Sequence, residues 1–366
     1  MAPSRSLYKE SLPLISMITM EFFTVGLNTL FKAASLKGLG YYVFVAYTSI
    51  IAALLFLPFH LVFNRTIPLP QHKRPLFVRI LLLGVIGFVG LVIGYKGIGF
   101  SSPTLAAAIG TLNPAFTFIL AVMFRMERLS LSRPSSQAKI IGTVSSISGA
   151  IVVVLFKGPT ILSTFSSPEE LVAADGTSHS NYWLLGGLLI ATEHLLFSLG
   201  YIVQAQVLKM YPAEFSVALY ITMCTSAISL AASFVGETDI DAWILTNPDI
   251  KLAAVLYGGV FGGFLNTIVH TWCLHLEGPV FVAIFKPLSI AIAAAMGVVF
   301  LGDDLHLGSV AGAVVISAGF YGVIWGKARE GKEEMELAAV EDCGSPYHLG
   351  TSSTNSNSLP FLVNHT

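Results

Sequence analysis

Residues 103–131 read PTLAAAIGTLNPAFTFILAVMFRMERLSL, and residues 279–307 read PVFVAIFKPLSIAIAAAMGVVFLGDDLHL. Sliding the chain against itself by 176 positions superposes them. Pro103 meets Pro279, Ala107 meets Ala283, Leu112 meets Leu288, Ala115 meets Ala291, Val122 meets Val298 and Phe124 meets Phe300. Leu129 and Leu131 then meet Leu305 and Leu307, Glu127 meets Asp303, and further back Gly87 meets Gly263. Upstream the offset is 172, pairing Glu21 with Glu193, Ala33 with Ala205, Leu36 with Leu208 and Lys37 with Lys209. Downstream it is 170, pairing Gly142 with Gly312 and Gly149 with Gly319. The chain is an internal duplication, and a period of this length fixes the architecture before any local reading does.

Each copy is too apolar for water. Of 366 residues, 54% are hydrophobic and 11% charged, with a mean hydropathy of +0.75, whereas soluble domains carry about 25% charged residues. A spanning helix needs about 20 apolar residues at about 1.5 Å rise. Ten such runs are present: Ser11 to Ala34, Tyr41 to Phe63, Pro75 to Lys96, Pro103 to Phe124, Lys139 to Phe156, Tyr182 to Leu208, Glu214 to Val235, Ile250 to His275, Pro279 to Leu301 and Leu307 to Trp325. The first is long and lacks a small-residue cleavage site, so it reads as a retained helix. Five spans per copy is an odd number, so the second copy enters the membrane from the opposite side. The expected fold is all-α and integral to the membrane, ten transmembrane helices in two inverted five-helix repeats.

Lys and Arg accumulate in cytosolic loops. With the amino terminus inside, the inner segments hold Arg65, Lys73, Arg74, Arg79, Arg125, Arg128, Arg133 and Lys139 among others, and the outer ones only Lys32, Lys37, Lys96, Lys157 and Lys251. Acids mark the outer loops: Glu169, Glu170 and Asp175, then Glu237, Asp239, Asp241 and Asp249, then Asp303 and Asp304. Both termini are expected in the cytosol, and the sequon Asn64-Arg65-Thr66 with them, away from glycosylation. The expected organisation is a cytosolic start over 1–10, a first repeat over 11–156, an outer linker over 157–181, a second repeat over 182–326 and a Ser/Thr/Asn-rich tail over 327–366 too polar to fold alone.

Several function classes drop out. A formal charge of −1 offers nothing to a nucleic-acid backbone. Cys224, Cys273 and Cys343 are too scattered for a disulfide framework or a C-x-x-C site. No G-x-S-x-G elbow, Walker loop, H-E-x-x-H or paired-aspartate motif is present, so neither an enzyme nor an ATP-driven pump is expected, and no cofactor or metal. Inverted repeats around a central site are instead the plan of secondary transporters.

Particular motifs carry a resemblance. Ser101-Ser102-Pro103-Thr104-Leu105, Asn113-Pro114-Ala115-Phe116-Thr117-Phe118-Ile119-Leu120-Ala121 and Phe124-Arg125-Met126-Glu127 in the first repeat resemble plant EamA-type transporters. So do Gly278-Pro279-Val280-Phe281, Lys286-Pro287-Leu288 and Phe300-Leu301-Gly302-Asp303 in the second. The chain, over roughly residues 10 to 330, resembles the nodulin-like, "walls are thin"-related (UMAMIT) group of the drug/metabolite transporter superfamily. The resemblance implies two inverted EamA repeats and facilitated, often bidirectional, movement of amino acids; some relatives are linked to other organic solutes, including auxin-related ones. It also favours the plasma membrane, with the vacuolar membrane and endoplasmic reticulum as alternatives.

Ionisable groups at membrane depth are costly and by default mark a pathway. Glu21 and Glu193 lie about 15 Å deep on symmetry-related helices, placed to bind a proton or a substrate ammonium, or alternatively to hydrogen-bond a neighbouring helix. Lys286 lies about seven residues into the ninth span, able to pair with a substrate carboxylate or with Glu21 or Glu193; its repeat mate is Gly110. Ser289 shares its helix face and mates with Asn113, which precedes Pro114, a residue that interrupts a helix by removing an amide donor. His270, Trp272 and Asn266 are candidates for an inner vestibule, His270 with a proton role. Tyr95, Asn28 and Gln204 complete the candidates. The series Gly142, Ser146, Gly149 with mates Gly312, Ile316, Gly319 lets the fifth and tenth helices approach neighbours closely, within the chain or in a homodimer.

The function expected is a secondary facilitator or exporter of amino acids or related small solutes in a lipid bilayer. The same fold carrying auxin-like or other organic anions is the first alternative, and a non-transporting membrane regulator the second.

Overall fold

The structure, a computed structural model, describes residues 3–63, 73–126, 134–156, 158–162, 176–245, 249–283, 285–296, 305–308 and most positions from 310 to 329. The sequon, Glu127, the acidic residues Glu169, Glu170, Asp175, Asp303 and Asp304, and the tail with Cys343 lie outside the described residues.

The helices are α1 (Pro3–Leu36), α2 (Tyr41–Phe63), α3 (Lys73–Phe100), α4 (Pro103–Gly110), α5 (Asn113–Met123), α6 (Pro134–Leu155), α7 (Gly176–Met210), α8 (Glu214–Gly236), α9 (Ile250–Tyr257), α10 (Asn266–Glu277), α11 (Pro279–Ala283), α12 (Leu288–Met296) and α13 (Val310–Gly319). A π-helical segment, Gly258–Leu265, runs α9 into α10. Counting α4 with α5, α9 with α10 and α11 with α12, the described residues fall in ten helical stretches, consistent with the ten expected places. Among the described residues, seven are long and apolar enough to cross a membrane by length and composition. Helices α1 and α7 begin before the apolar runs do, because a helix continues as far as its backbone hydrogen bonds allow and its polar ends pass the lipid.

Proline decides where the fourth and ninth segments break. Pro103 opens α4 behind Ser102, whose side chain accepts from the Leu105 amide at 3.2 Å. At the end of α4 the Thr111 and Leu112 amides turn to Ala108 and Ile109 at 3.3 and 2.9 Å, and Pro114 restarts the helix as α5. In the ninth segment Pro287 has no amide, and Lys286 N donates to the Ala283 carbonyl at 3.3 Å instead. Both breaks therefore fall in the stretch where the repeats correspond. The break at Asn113-Pro114 matches the sequence reading; the break at Lys286-Pro287 and the π segment were not foreseen in it.

The repeats interlock. Helix α1 of the first repeat packs on α9, the π segment, α10 and α12 of the second, while α7, which opens the second repeat, packs on α3, α4 and α5 of the first. Helices α2 and α8 meet between them. Small residues permit these contacts. A methyl at Gly97 of α3 would lie 2.8 Å from Ile190 Cγ1 and 3.0 Å from the Gly186 carbonyl of α7. In the π segment, methyls at Gly259 and Gly263 would lie 2.5 and 2.6 Å from Ile51 and Ala52 of α2. A methyl at Gly319 would lie 2.5 Å from the Gly142 carbonyl, so these members of the small-residue series pack the fifth and tenth segments on each other.

Two apolar clusters occupy opposite ends of the bundle. One gathers Phe31, Val43, Phe44, Ile98, Leu105, Ile109, Ile190 and Val255; the other Met17, Leu76, Ile80, Val207, Leu208, Val217, Leu274 and Val282. At the first end, Lys32 Nζ donates to the carbonyls of Ile98, Gly99 and Ser101 at 3.2, 2.9 and 2.7 Å, a cation closing the carboxyl end of α3. Nearby, Lys37 and Asp249 pair at 3.2 Å. The Ile250 amide first, then Lys37, hold the exposed Asp249 carboxyl below its ordinary range. An addition to the all-helical expectation is a short antiparallel contact of β1 (Thr160–Leu162) with β2 (Leu305–His306), which ties the linker between repeats to the turn before the tenth segment.

Replacing Lys32 by Met removes three bonds from a cation. Thermal unfolding in detergent is expected to show a loss of about 1.5–3 kcal/mol, with the helical content of the folded protein unchanged.

Candidate functional site

Between the two apolar clusters lies a cavity of about 290 Å³. Both repeats contribute to it: α1, α2, α3 and α4 from one, and α7, α8, the π segment, α10 and the broken ninth segment from the other. Among the described residues, the formally charged side chains that line it are Glu21, Glu193 and Lys286.

Glu21 of α1 and Lys286 form an ion pair of 2.8 Å; the glutamate side chain is fully buried and the lysine 12% exposed. The helix break presents this lysine, whose own carbonyl accepts from the Ser289 amide at 3.0 Å and the Ser289 hydroxyl at 2.5 Å. A charge-assisted bond in so dry a place is strong, and its rupture would strand a buried charge.

Glu193 is placed differently. It projects from α7 onto the backbone of α3, so that a methyl at Gly94 would fall 2.1–2.3 Å from its carboxyl group. Among the described residues it forms no ion pair. His194, the next residue, lays its ring over α4, with Nε2 3.0 Å from where a methyl on Gly110 would sit. Three buried polar atoms of cavity residues, Glu21 Oε2, His194 Nδ1 and Asn266 Oδ1, have no hydrogen-bond partner among the described residues. Such atoms are rare in folded proteins and suit a ligand's complementary groups.

The remaining polar residues frame the space. His270 is buried, its Nδ1 2.9 Å from the Asn266 carbonyl and its ring stacked on Tyr201 with centroids 6.1 Å apart. Gln204 donates to the Thr271 hydroxyl at 2.8 Å. Tyr95 rests on Phe31 and Phe44, 4.6 and 4.7 Å between centroids, joining the cavity wall to one apolar cluster.

Of the residues singled out from sequence, Glu21, Glu193, Lys286, Ser289, His270, Asn266, Tyr95, Asn28 and Gln204 all line this cavity. Asn113, Pro114 and Trp272 do not. Asn113 is fully buried, and its Oδ1 accepts from Ser198 at 2.5 Å and from Thr117 at 3.3 Å, pinning α5 to α7. Sequence reasoning missed His194 and Tyr201. The only signal for His194 was its place beside Glu193 in an apolar run, and Tyr201 carried none that separated it from other tyrosines. Among the described residues no group of His, Cys, Asp and Glu is arranged to hold a metal ion.

A cavity lined by both of two interlocked repeats, apolar for the most part with a few charged and polar side chains, is the arrangement of a membrane transporter. The model of the EamA-like transporter family matches the chain twice, over residues 12–155 and 184–325. Three proteins of Arabidopsis thaliana are similar over nearly the whole length. The chain is 50% identical to WAT1-related protein At5g40240 over 88% of each chain. It is 48% identical to WAT1-related protein At4g15540 over 93% of this chain and 95% of that one, and 46% identical to WAT1-related protein At3g28050 over 93% and 90%. A solved crystal structure at 14% identity superposes with a TM-score of 0.57 over 86% of this chain and 99% of its own, which shows the fold alone. The chain belongs to the EamA-like transporter family, among the WAT1-related proteins of plants, and is an integral multi-pass membrane protein.

Two glycines three residues apart on α3 separate site from scaffold. Gly94→Ala pushes only the flexible end of Glu193, so counterflow is expected to fall at least tenfold, about 1.4 kcal/mol, with the unfolding temperature nearly unchanged. Gly97→Ala meets the backbone of α7, so a loss of about 1–3 kcal/mol in stability is expected, read by the same thermal scan.

Proposed function

We propose that the protein is a secondary carrier, a facilitator or exporter, of amino acids. The observation that carries this reading is one cavity at the seam of the repeats that holds both a base and two acids. A zwitterion needs both signs of charge within one small volume, and a cavity of about 290 Å³ is close to the lower end of the usual range for small-molecule sites. The apolar clusters above and below are its two gates, and rocking of the repeats opens one while the other stays packed. Breaks in the fourth and ninth segments supply the flexibility, since irregular backbone is tolerated at membrane depth only where protein or a cavity covers it. The π segment adds a third irregular stretch beside the cavity, in a form frequent at functional sites.

The charge distribution in the loops supports cytosolic termini, and the family resemblance supports the plasma membrane.

The test is counterflow of a mixture of labelled amino acids into proteoliposomes preloaded with the unlabelled mixture, with and without a pH gradient. Uptake that overshoots equilibrium, and falls at least tenfold in Glu193→Gln, is the expected outcome. Protein that is folded by thermal scan yet shows no counterflow with any amino acid overturns the substrate class. In that case counterflow of a monocarboxylate moves the cargo to organic anions.

A further inference from the structure

The cavity lining changes character from one end of the bundle to the other. At one end it is continuous with the apolar cluster around Phe31 and Phe44: Leu27, Ile98 and Ala106 belong to both, and Leu91 and Tyr95 line the cavity while packing on that cluster. The second cluster receives Tyr201 and the sequence neighbours of Gln204, His270 and Thr271, and toward it the lining turns polar. The apolar end also has room. Helix α4 gives the lining only Ala106, Ala107 and Gly110, which take up little of the space.

Threonine hydroxyls in the lining do little to offset this. Thr24 donates to the Met20 carbonyl at 2.9 Å, Thr48 to the Phe44 carbonyl at 2.8 Å and Thr271 to the Thr267 carbonyl at 2.6 Å. Each lines the cavity, yet its one proton is committed to its own helix, so toward a solute its oxygen can only accept. Asn28 is the polar exception near the apolar end, a single amide on the same helix as Leu27. A polar side chain entering that end gives up its water for few replacement bonds, which is costly. An aliphatic side chain gains there by leaving water.

We propose that the apolar end of the cavity is the subsite for the solute's side chain, and that the amino acids carried are those with aliphatic side chains, such as valine, leucine and methionine. The side chain lies against Leu27, Leu91 and Ile98, which thereby set specificity, and the charged lining is left to the charged groups of the zwitterion. The inference rests on the carrier reading and narrows its amino acids to the apolar ones. Selection follows from area removed from water, so it grows with each methylene added to the side chain.

Counterflow into proteoliposomes holding the full-length protein tests this, with each labelled amino acid offered alone below saturation against an unlabelled mixture inside. Pairs of near-equal size are compared: valine with threonine, and leucine with asparagine. The apolar member of each pair is expected to enter at least about tenfold faster. Along L-alanine, L-homoalanine and L-norvaline, the concentration that half-inhibits leucine counterflow should fall about fourfold per methylene. Leu91→Asn should lower the leucine-over-asparagine ratio at least fivefold, whereas Thr24→Val should leave that ratio unchanged. Threonine or asparagine carried as fast as its partner, or half-inhibition that stays constant along the series, overturns the inference and leaves the carrier reading standing. Counterflow of no amino acid overturns both. A Leu91→Asn protein that is folded by thermal scan and keeps the wild-type ratio overturns the assignment of the side chain to this end, and the wild-type pairs decide the substrate class even where that variant does not fold.

Discussion

The ion pair between Glu21 and Lys286 joins the first helix of one repeat to the broken helix of the other, in a place that water reaches poorly. Neither partner is tolerable there alone, because a charge in low dielectric keeps its full desolvation penalty unless an opposite charge offsets it. Their meeting also requires the interlocked arrangement in which α1 leaves its own repeat and lies against the ninth segment. The break at Pro287 sets the lysine on a turn whose carbonyl is held by Ser289. Much of the central architecture is thereby tied to one 2.8 Å contact.

Around that contact the duplication is imperfect in a useful way. Packing positions are kept: Gly87 with Gly263, Pro103 with Pro279, Ala107 with Ala283. These set helix approach and turn geometry, which both halves need. Charge is not kept, since Gly110 and Gly94 stand where the other repeat has Lys286 and His270. A symmetric pair of glutamates thus becomes one paired with Lys286 and one that forms no ion pair among the described residues, both of them lining the cavity.

The duplication and the all-helical membrane fold in two repeats were legible in the sequence, because period and apolar length survive without coordinates. Glu21, Glu193 and Lys286 stood out because charge inside an apolar run is expensive, and all three line the cavity. What stayed hidden depends on which face of a helix meets which neighbour. Asn113 looked like a site residue by polarity and depth, yet it lies off the cavity and its amide oxygen is taken by Ser198 and Thr117. Trp272 is two residues from His270 and off the cavity. The exchange of α1 and α7 between repeats is a long-range packing choice that no local pattern records, and the pairing of Lys286 with Glu21 rather than Glu193 follows from that choice.

The most direct measurement is the coupling energy between Glu21 and Lys286, taken from thermal or denaturant unfolding of Glu21→Gln, Lys286→Met and the double variant in one lipid mixture. Each single change should cost about 3–5 kcal/mol by stranding its partner, and the double variant should recover most of that loss. Additive losses, or single variants as stable as the wild type, would contradict a structure organised on this pair.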